Sequence, residues 1–112
     1  MEFYPAAGTG GFLLTNPPFA PMTNDLNQTL EERGKRYGDF KGHAEVTQAL
    51  KEEIISALVQ RQKTLDPDQQ EALDMICHKI GRIINGDPDY ADSWHDIAGY
   101  AQLVADRLLK EQ

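Results

Sequence analysis

The residues with the clearest chemical potential fall on either side of one short turn. Lys79 and Arg82 close one apolar-periodic segment, and Asp92 and Asp96 open the next. An antiparallel helical hairpin with a rise of about 1.5 Å per residue would bring all four to within about 5–10 Å of its turn. The two cations could contact phosphate while the aspartates hold Mg²⁺. The same residues could instead form an ion-pair network that fixes the register of the hairpin, and spacing alone leaves both interpretations open.

Few other side chains have a spacing that indicates chemistry. His78 and Tyr100 fall beside the same turn, and Glu53 lies near the middle of an otherwise apolar helix side. A carboxylate that faces a core needs a partner, so Glu53 is either part of a structural ion pair or a metal or substrate ligand. His78 and His95 lack the ligand spacing of a zinc site. No Ser/His/Asp or Cys/His arrangement for nucleophilic catalysis is identifiable.

Apolar residues at helical spacing must position these groups. They predict a short first helix and three longer ones, over residues 24–33, 43–63, 67–85 and 90–109. Residues 33–40 read as an ordered loop. Asp66, Pro67 and Gln69 form a capping-box start for the third helix, and Asp89 can cap the last helix. The short connection between the last two helices makes them antiparallel neighbours.

The last helix carries two distinct faces at about 100° per residue. Its predicted core side is an apolar stripe of Trp94, Ile97, Ala98, Ala101, Ala105 and Leu108. The opposite side holds Asp92, Asp96, Gly99 and Leu103. A helix needs only the first stripe to fold, so the second side suggests a further contact. On the third helix, Cys77 lies within the apolar stripe and is expected to be a small core residue rather than a nucleophile.

Composition narrows the class of protein. The 112 residues are 40% hydrophobic and 26% charged, as in a soluble globular domain. The formal net charge of -7 opposes nucleic-acid binding, and the basic cluster Arg33, Lys35 and Arg36 is typical of a helix C-terminus. No run approaches the ~18 apolar residues of a membrane span. A single cysteine cannot form an internal disulfide and fits a reducing compartment.

The first residues differ in composition from the rest of the chain. Residues 1–22 are rich in Gly and Pro and have little charge, so we expect an irregular or disordered leader there. Residues 23–112 form the predicted all-α domain. The expected architecture is a small bundle of three main helices plus a short N-terminal helix. A bundle of so few helices can complete its core across a dimer, so we expect a homo-oligomer.

Residues 33–109 resemble an uncharacterised family of small proteins from bacteriophages and prophages. Three motifs carry the resemblance: Tyr37-Gly38-Asp39, the segment 72–83 with Lys79 and Arg82, and the segment 92–101, which begins Asp92-Ser93-Trp94. The last motif is the most specific. The resemblance implies an α-helical domain without a settled activity, located in the cytoplasm of a bacterial host.

More distantly, the arrangement is similar to MazG-type all-α nucleoside triphosphate pyrophosphohydrolases. Those enzymes bind Mg²⁺ through an E-x-x-E pair on one helix and an E-x-x-D pair on the next. The similarity implies that Asp96 stands at the final acidic position, while Ser93 replaces the preceding glutamate. The facing helix carries Lys79 and Arg82 where acids would be expected. Glu53 is the candidate that would restore a missing acid.

Two functions follow as hypotheses. In the first, the protein is a phage nucleotide-metabolism hydrolase that uses Mg²⁺ to orient a water molecule. Its residues would be the metal ligands and catalytic acids Asp96 and Glu53, the metal ligand Asp92, the phosphate contacts Lys79 and Arg82, and the base-packing rings Tyr37 and Tyr100. In the second, the domain is a non-catalytic interaction module whose acidic face on the last helix binds another protein.

Overall fold

The computed structural model describes residues 19–112, with side chains described from residue 25 onward. This part of the chain is four helices, α1 (Phe19–Tyr37), α2 (Phe40–Gln60), α3 (Pro67–Asn85) and α4 (Ala91–Lys110), and contains no strand. The prediction of an all-α domain is therefore confirmed. Residues 1–18 of the predicted leader lie outside the described residues, and α1 already begins inside the remainder of it.

The first helix is longer than residues 24–33, and the predicted loop over residues 33–40 is wrong. α1 continues through Gly34 to Tyr37. It ends at Gly38, which has a φ of 77° and whose N–H donates to the Gly34 carbonyl at 2.9 Å. A glycine inside a helix costs only about 1 kcal/mol, whereas a left-handed residue after the last turn stops a helix. Gly34 is thus tolerated, and Gly38 is the actual terminator.

The next two helices begin at side-chain caps. Asp39 precedes α2 and its carboxylate accepts from the Gly42 N–H at 3.2 Å, so α2 starts three residues before the predicted His43. At the start of α3, the Asp66 N–H donates to the Gln69 side chain at 2.8 Å. This bond is the reciprocal half of the predicted capping box, with Pro67 at the first helical position, and the predicted start of α3 is confirmed.

The last helix begins one residue later than predicted. Its N-cap is Tyr90 rather than Asp89, which moves Asp92 to the second helical position. The Asp92 carboxylate there accepts a hydrogen bond from the Tyr90 hydroxyl at 2.9 Å. A carboxylate in the first turn also suits the positive end of the helix dipole.

The central element is α3, which packs against α2 on one side and α4 on the other. No Cα atoms of α2 and α4 come within 8 Å of each other. Near the far end of the hairpin from its turn, Arg107 of α4 reaches Asp68 at the start of α3, so the predicted antiparallel pairing is confirmed. The helices form an open layer, with α1 resting on α2 and α3.

The fully buried apolar core of the described residues is small. It comprises Ala72, Cys77 and Tyr100. Cys77 is therefore a core residue as predicted, and burial raises the pKa of its thiol. None of the described helices is long and apolar enough to cross a membrane.

The predicted inward face of α4 is wrong in part, because Ile97 and Leu108 of the stripe are half-buried but its other members are exposed. The buried residues of α4 are Ser93, Asp96 and Tyr100, whereas Trp94 is 54% exposed. Three alanines of the predicted core stripe are also exposed, namely Ala98, Ala101 and Ala105. The buried face lies between the two predicted sides, since Asp92 and Leu103 of the opposite side are exposed as well, and Asp96 on it forms the buried ion pair described below.

Candidate functional site

A cavity of about 400 Å³ lies between the C-terminal half of α1, the end of α3 and the start of α4. We call it the arginine cavity. Its charged and aromatic lining consists of Arg33, Arg36, Arg82, Glu32, Asp92, Asp96, Tyr37 and Tyr90. The α3–α4 turn thus does bring Arg82, Asp92 and Asp96 together, as their spacing predicts. The contribution from α1 is the part that periodicity did not reveal.

An ion pair closes the floor of this region between α3 and α4. The Lys79 ammonium lies 2.9 Å from Asp96 Oδ2, and the two side chains are only 1% and 3% exposed. Lys79 is therefore enclosed by protein and cannot reach a ligand phosphate without leaving its partner. The Lys79 ammonium also compensates the negative charge of the Asp96 carboxylate that a metal ion would otherwise attract. The pair fits the structural interpretation of the hairpin charges, since buried charges need partners.

A chain of polar contacts crosses the mouth of the arginine cavity. Arg36 donates to the Tyr90 hydroxyl at 3.1 Å, and that hydroxyl donates to Asp92 at 2.9 Å. The Arg36 guanidinium also lies 4.8 Å from the centroid of the Tyr90 ring. The hydrogen bond to the Asp92 carboxylate raises the pKa of the Tyr90 phenol, because it stabilises the protonated hydroxyl. Arg36, Tyr90 and Asp92 therefore form one connected group.

A second stacked pair stands beside this group. The Arg82 guanidinium lies over the Tyr37 ring, 4.2 Å from its centroid. The Tyr37 ring meets Tyr90 edge-on, with centroids 6.1 Å apart and an interplanar angle of 66°. Arg82 is thus held by an aromatic face, a geometry that suits guanidinium better than ammonium. Two guanidiniums and two rings are interleaved at the site.

The end of α1 is fastened to the end of α3, and this contact sets the positions of Arg36 and Tyr37. The Asn85 side-chain amide donates to the Tyr37 carbonyl at 2.8 Å and to the Asp39 carbonyl at 2.9 Å. The backbone of Gly86 lies against the backbone of Arg36 and Tyr37, leaving no room for a Cβ atom. The close approach of these backbones therefore requires glycine at position 86.

The other predicted site residues lie elsewhere. Glu53 is exposed on α2, a helix that does not touch α4, so the structure does not bring it to Asp96. Tyr100 is buried in the α3–α4 interface and does not line the arginine cavity. His78 instead faces α2, where its Nδ1 lies 3.2 Å from Nε2 of buried His43.

The carboxylates do not form the Mg²⁺ site that the MazG similarity implies. Asp96 is held by Lys79, Asp92 accepts from Tyr90 and Glu53 is on another helix. Within the part of the chain that the structure describes, no group of three or more His, Cys, Asp or Glu side chains is placed to hold a metal ion. The described residues therefore do not assemble the three-carboxylate arrangement that the similarity implies, and the binding of Mg²⁺ stays a prediction.

Sequence reasoning missed four residues of this lining, namely Glu32, Arg33, Arg36 and Tyr90. Arg33 and Arg36 read as a solvated basic helix end, and Tyr90 read as part of a connection. The sequence did offer one signal. The arginines and Tyr37 stand directly before Gly38, whose positive φ ends α1, so a cationic and aromatic segment lies at a helix end.

Comparison with known proteins adds the family. A family model described as a domain of unknown function, DUF6378, matches residues 23–108. The matched segment contains every charged and aromatic residue that lines the arginine cavity. It also contains all of α2 and α3, and α4 as far as Leu108. No curated protein and no solved structure matches the chain. Because the model covers most of its length, the chain belongs to the DUF6378 family, whose function is unknown.

Proposed function

We propose that this domain binds the phosphate group of a small phosphorylated ligand in the arginine cavity, without a metal ion. The observation that carries the proposal is the convergence of Arg33, Arg36 and Arg82 on one cavity of about 400 Å³. Guanidinium groups bind phosphate oxygens through paired, charge-assisted hydrogen bonds. A phosphate would replace the hydration that these cations otherwise need.

The local charge supports this choice of ligand. Four cations, namely the three lining arginines and the buried Lys79, stand beside the three carboxylates Glu32, Asp92 and Asp96. No described carboxylate is ion-paired with Arg33 or Arg36. The cavity is therefore locally positive in a chain whose net charge is -7. Such an excess favours an anionic ligand over a cationic one.

The proposal keeps part of the nucleotide hypothesis and sets aside another part. A nucleotide remains the expected class of phosphorylated ligand from the MazG similarity, and the phage origin remains a prediction from the resemblance. Mg²⁺-dependent hydrolysis is not proposed, because Glu53 does not join Asp92 and Asp96 at the cavity. The alternative hypothesis was a non-catalytic module that binds a protein through the acidic face of the last helix. Asp96 of that face is buried against Lys79, so its carboxylate cannot contact a protein partner.

Calorimetric titration with pyrophosphate and ATP, each in EDTA and in Mg²⁺, tests the proposal. We expect binding in EDTA and a loss of affinity of about 10- to 100-fold in Arg36→Gln, from the usual ~1.5–3 kcal/mol of a charged hydrogen bond. Lys35→Gln is the matched control, because Lys35 is exposed on the same helix and does not line the cavity. Absence of binding, or an equal loss in the two variants, contradicts the proposal.

Self-association is a second proposed property, favoured by a different observation. The described residues have a small buried apolar core, while the α4 stripe of Trp94, Ala98, Ala101 and Ala105 faces outward. A continuous exposed apolar face of this kind marks a contact surface in most proteins. We assign it to a second copy of the chain, because a helix face of one copy can pair with the same face of another about a two-fold axis.

A further inference from the structure

Asn85 is the one asparagine in the sequence that glycine follows. Such an asparagine is prone to deamidation, because no side chain on the next residue hinders the approach of its backbone nitrogen to the asparagine Cγ. The Gly86 nitrogen gives its proton to solvent and forms a bond to Asn85 Cγ. The Cγ–Nδ2 bond then breaks, and Nδ2 takes a proton from solvent and leaves as ammonia. The resulting succinimide takes up water and opens to aspartate or isoaspartate, so the reaction needs no reagent besides water.

The folded structure holds both reacting groups in other contacts. The Gly86 N–H donates to the Arg82 carbonyl at 3.0 Å, which engages the attacking nitrogen at the end of α3. The Asn85 amide donates to the Tyr37 carbonyl at 2.8 Å and to the Asp39 carbonyl at 2.9 Å. These two bonds hold Nδ2, the leaving group. Deamidation therefore requires the contact between α1 and the end of α3 to open.

The end of α1 is the part whose opening would release Asn85. The Tyr37 carbonyl belongs to it, and the neighbouring Arg36 carbonyl accepts from the Asp87 N–H. Residues 25–36 of α1 are all exposed, so little burial of apolar surface holds this helix in place. Segments with few buried contacts open at a fraction of the free energy of global unfolding. The docking of α1 thus sets how often Asn85 becomes free to react.

The product would lose the contact that protected its precursor. A carboxylate at position 85 has no N–H, so the Tyr37 and Asp39 carbonyls would lose their donor. Asn85 Oδ1 and a carboxylate oxygen of Asp39 lie on the same side of Gly42, where both would meet a Cβ atom. The new charge would therefore stand close to that of Asp39. Isoaspartate would also add a methylene group to the backbone and displace Gly86 from α1. Each of these changes favours release of α1.

We propose that Asn85 and Gly86 form a deamidation site that the docking of α1 protects, and that its conversion irreversibly releases α1 from α3. Arg33, Arg36 and Tyr37 of α1 line the arginine cavity, so a converted chain would lose one wall of that cavity. The inference concerns the covalent lifetime of the fold and holds whether or not the cavity binds phosphate.

Peptide mapping by mass spectrometry tests the protection. Conversion of Asn85 would be followed over time at mildly alkaline pH, in native buffer and in urea. We expect conversion to be at least about 10-fold slower in native buffer, because it awaits local opening. Tyr90→Phe removes the hydrogen bond from Arg36 to the Tyr90 hydroxyl. This variant should speed conversion about 2- to 10-fold in native buffer, the usual range for one hydrogen bond, and should change nothing in urea.

Lys35→Gln is the matched control on α1, since Lys35 is exposed and does not line the arginine cavity; it should leave the rate unchanged. Asn27, which glutamine follows, is the internal control within each sample. No conversion of Asn85, or equal rates in native buffer and in urea, overturns the proposed site. An unchanged rate in Tyr90→Phe overturns the assignment of α1 as the protecting element.

Hydrogen exchange tests the release of α1. We expect the α1 amides to exchange faster in Asn85→Asp than in the native chain, while the amides around buried Ala72 and Tyr100 keep their protection. Converted protein separated from an aged native sample gives the same comparison if Asn85→Asp does not fold. Unchanged exchange of α1 in the converted protein overturns the release.

Discussion

The buried pair of Lys79 and Asp96 makes the sharpest prediction about this fold. Their charged atoms are 2.9 Å apart and nearly inaccessible to solvent. At an effective dielectric constant of about 20, the attraction at that distance is ~6 kcal/mol, and the cost of desolvating both ions offsets much of it. Asp96→Asn removes the attraction but leaves the Lys79 ammonium in the same dry position.

We therefore expect Asp96→Asn to lower the free energy of unfolding by about 3–5 kcal/mol, the usual cost of breaking a buried pair. That is a large share of the ~5–15 kcal/mol that stabilises a small domain. Urea titration followed by circular dichroism measures the change. Lys79→Met combined with Asp96→Leu should recover most of the loss, because the double variant leaves no buried charge.

The matched control is Asp92→Asn, which removes the exposed carboxylate one turn earlier on α4. We expect a change of at most about 1 kcal/mol there, because an exposed carboxylate in the first turn contributes little more than its interaction with the helix dipole, and Asn can still accept the Tyr90 hydrogen bond. A loss below about 1 kcal/mol in Asp96→Asn would refute the structural role assigned to this pair on the scale of buried-pair costs. A stabilised Asp96→Asn variant would point instead to a carboxylate kept for a ligand, as at many functional sites.

Three further predictions concern packing and titration. Gly86→Ala should destabilise the fold by about 1–3 kcal/mol, because its Cβ would meet the α1 backbone; an unchanged urea midpoint contradicts this. Trp94→Lys should shift the chain to monomer in sedimentation velocity, because a charge would enter the proposed self-contact; an unchanged oligomer, or a native chain that is already monomeric, contradicts the proposal. Arg107→Ala should lower the melting temperature slightly at neutral pH and low salt. Its hydrogen bond lowers the pKa of Asp68, so the stabilisation is complete above the usual carboxyl pKa and is lost as pH falls through the lowered value. A difference between Arg107→Ala and native protein that grows on acidification contradicts this sign.

The helix boundaries that sequence could predict were those set by local contacts. The Asp66 N–H donates to the side chain of Gln69, three residues later. The start of α3 therefore follows from a short sequence motif. The end of α1 was misplaced because Gly34 and Gly38 look alike in sequence. Only the backbone distinguishes them, since Gly38 has a positive φ and Gly34 lies within the helix.

The candidate site was predictable only in part, for a reason of sequence distance. Arg82, Asp92 and Asp96 share one hairpin, so rise per residue places them together. Arg36 reaches Tyr90 across 54 positions, and no periodic pattern carries that information. The contact depends on Asn85 and Gly86 fastening the end of α1 to the end of α3.

The orientation of α4 shows why an apolar stripe alone does not identify the inward face. Periodicity measures contrast between two sides of a helix, and either side can be buried if its polar groups are paired. Lys79 supplies that pairing for Asp96, so this carboxylate is buried beside Ser93 and Tyr100 on a face that lies between the two predicted sides. A single sequence contains both partners but not the fact that they meet.

The orientation of α4 also gives its exposed side a specific shape. The Trp94 indole N–H donates to the Pro88 carbonyl at 2.8 Å, which holds the ring in place while 54% of the residue stays exposed. A fixed ring loses little conformational entropy when a partner covers it. Ala98 follows one turn later and leaves space for a second helix to approach. Most of the apolar stripe that periodicity assigned to the core therefore faces outward, and the proposed self-contact would cover a ring that is already fixed.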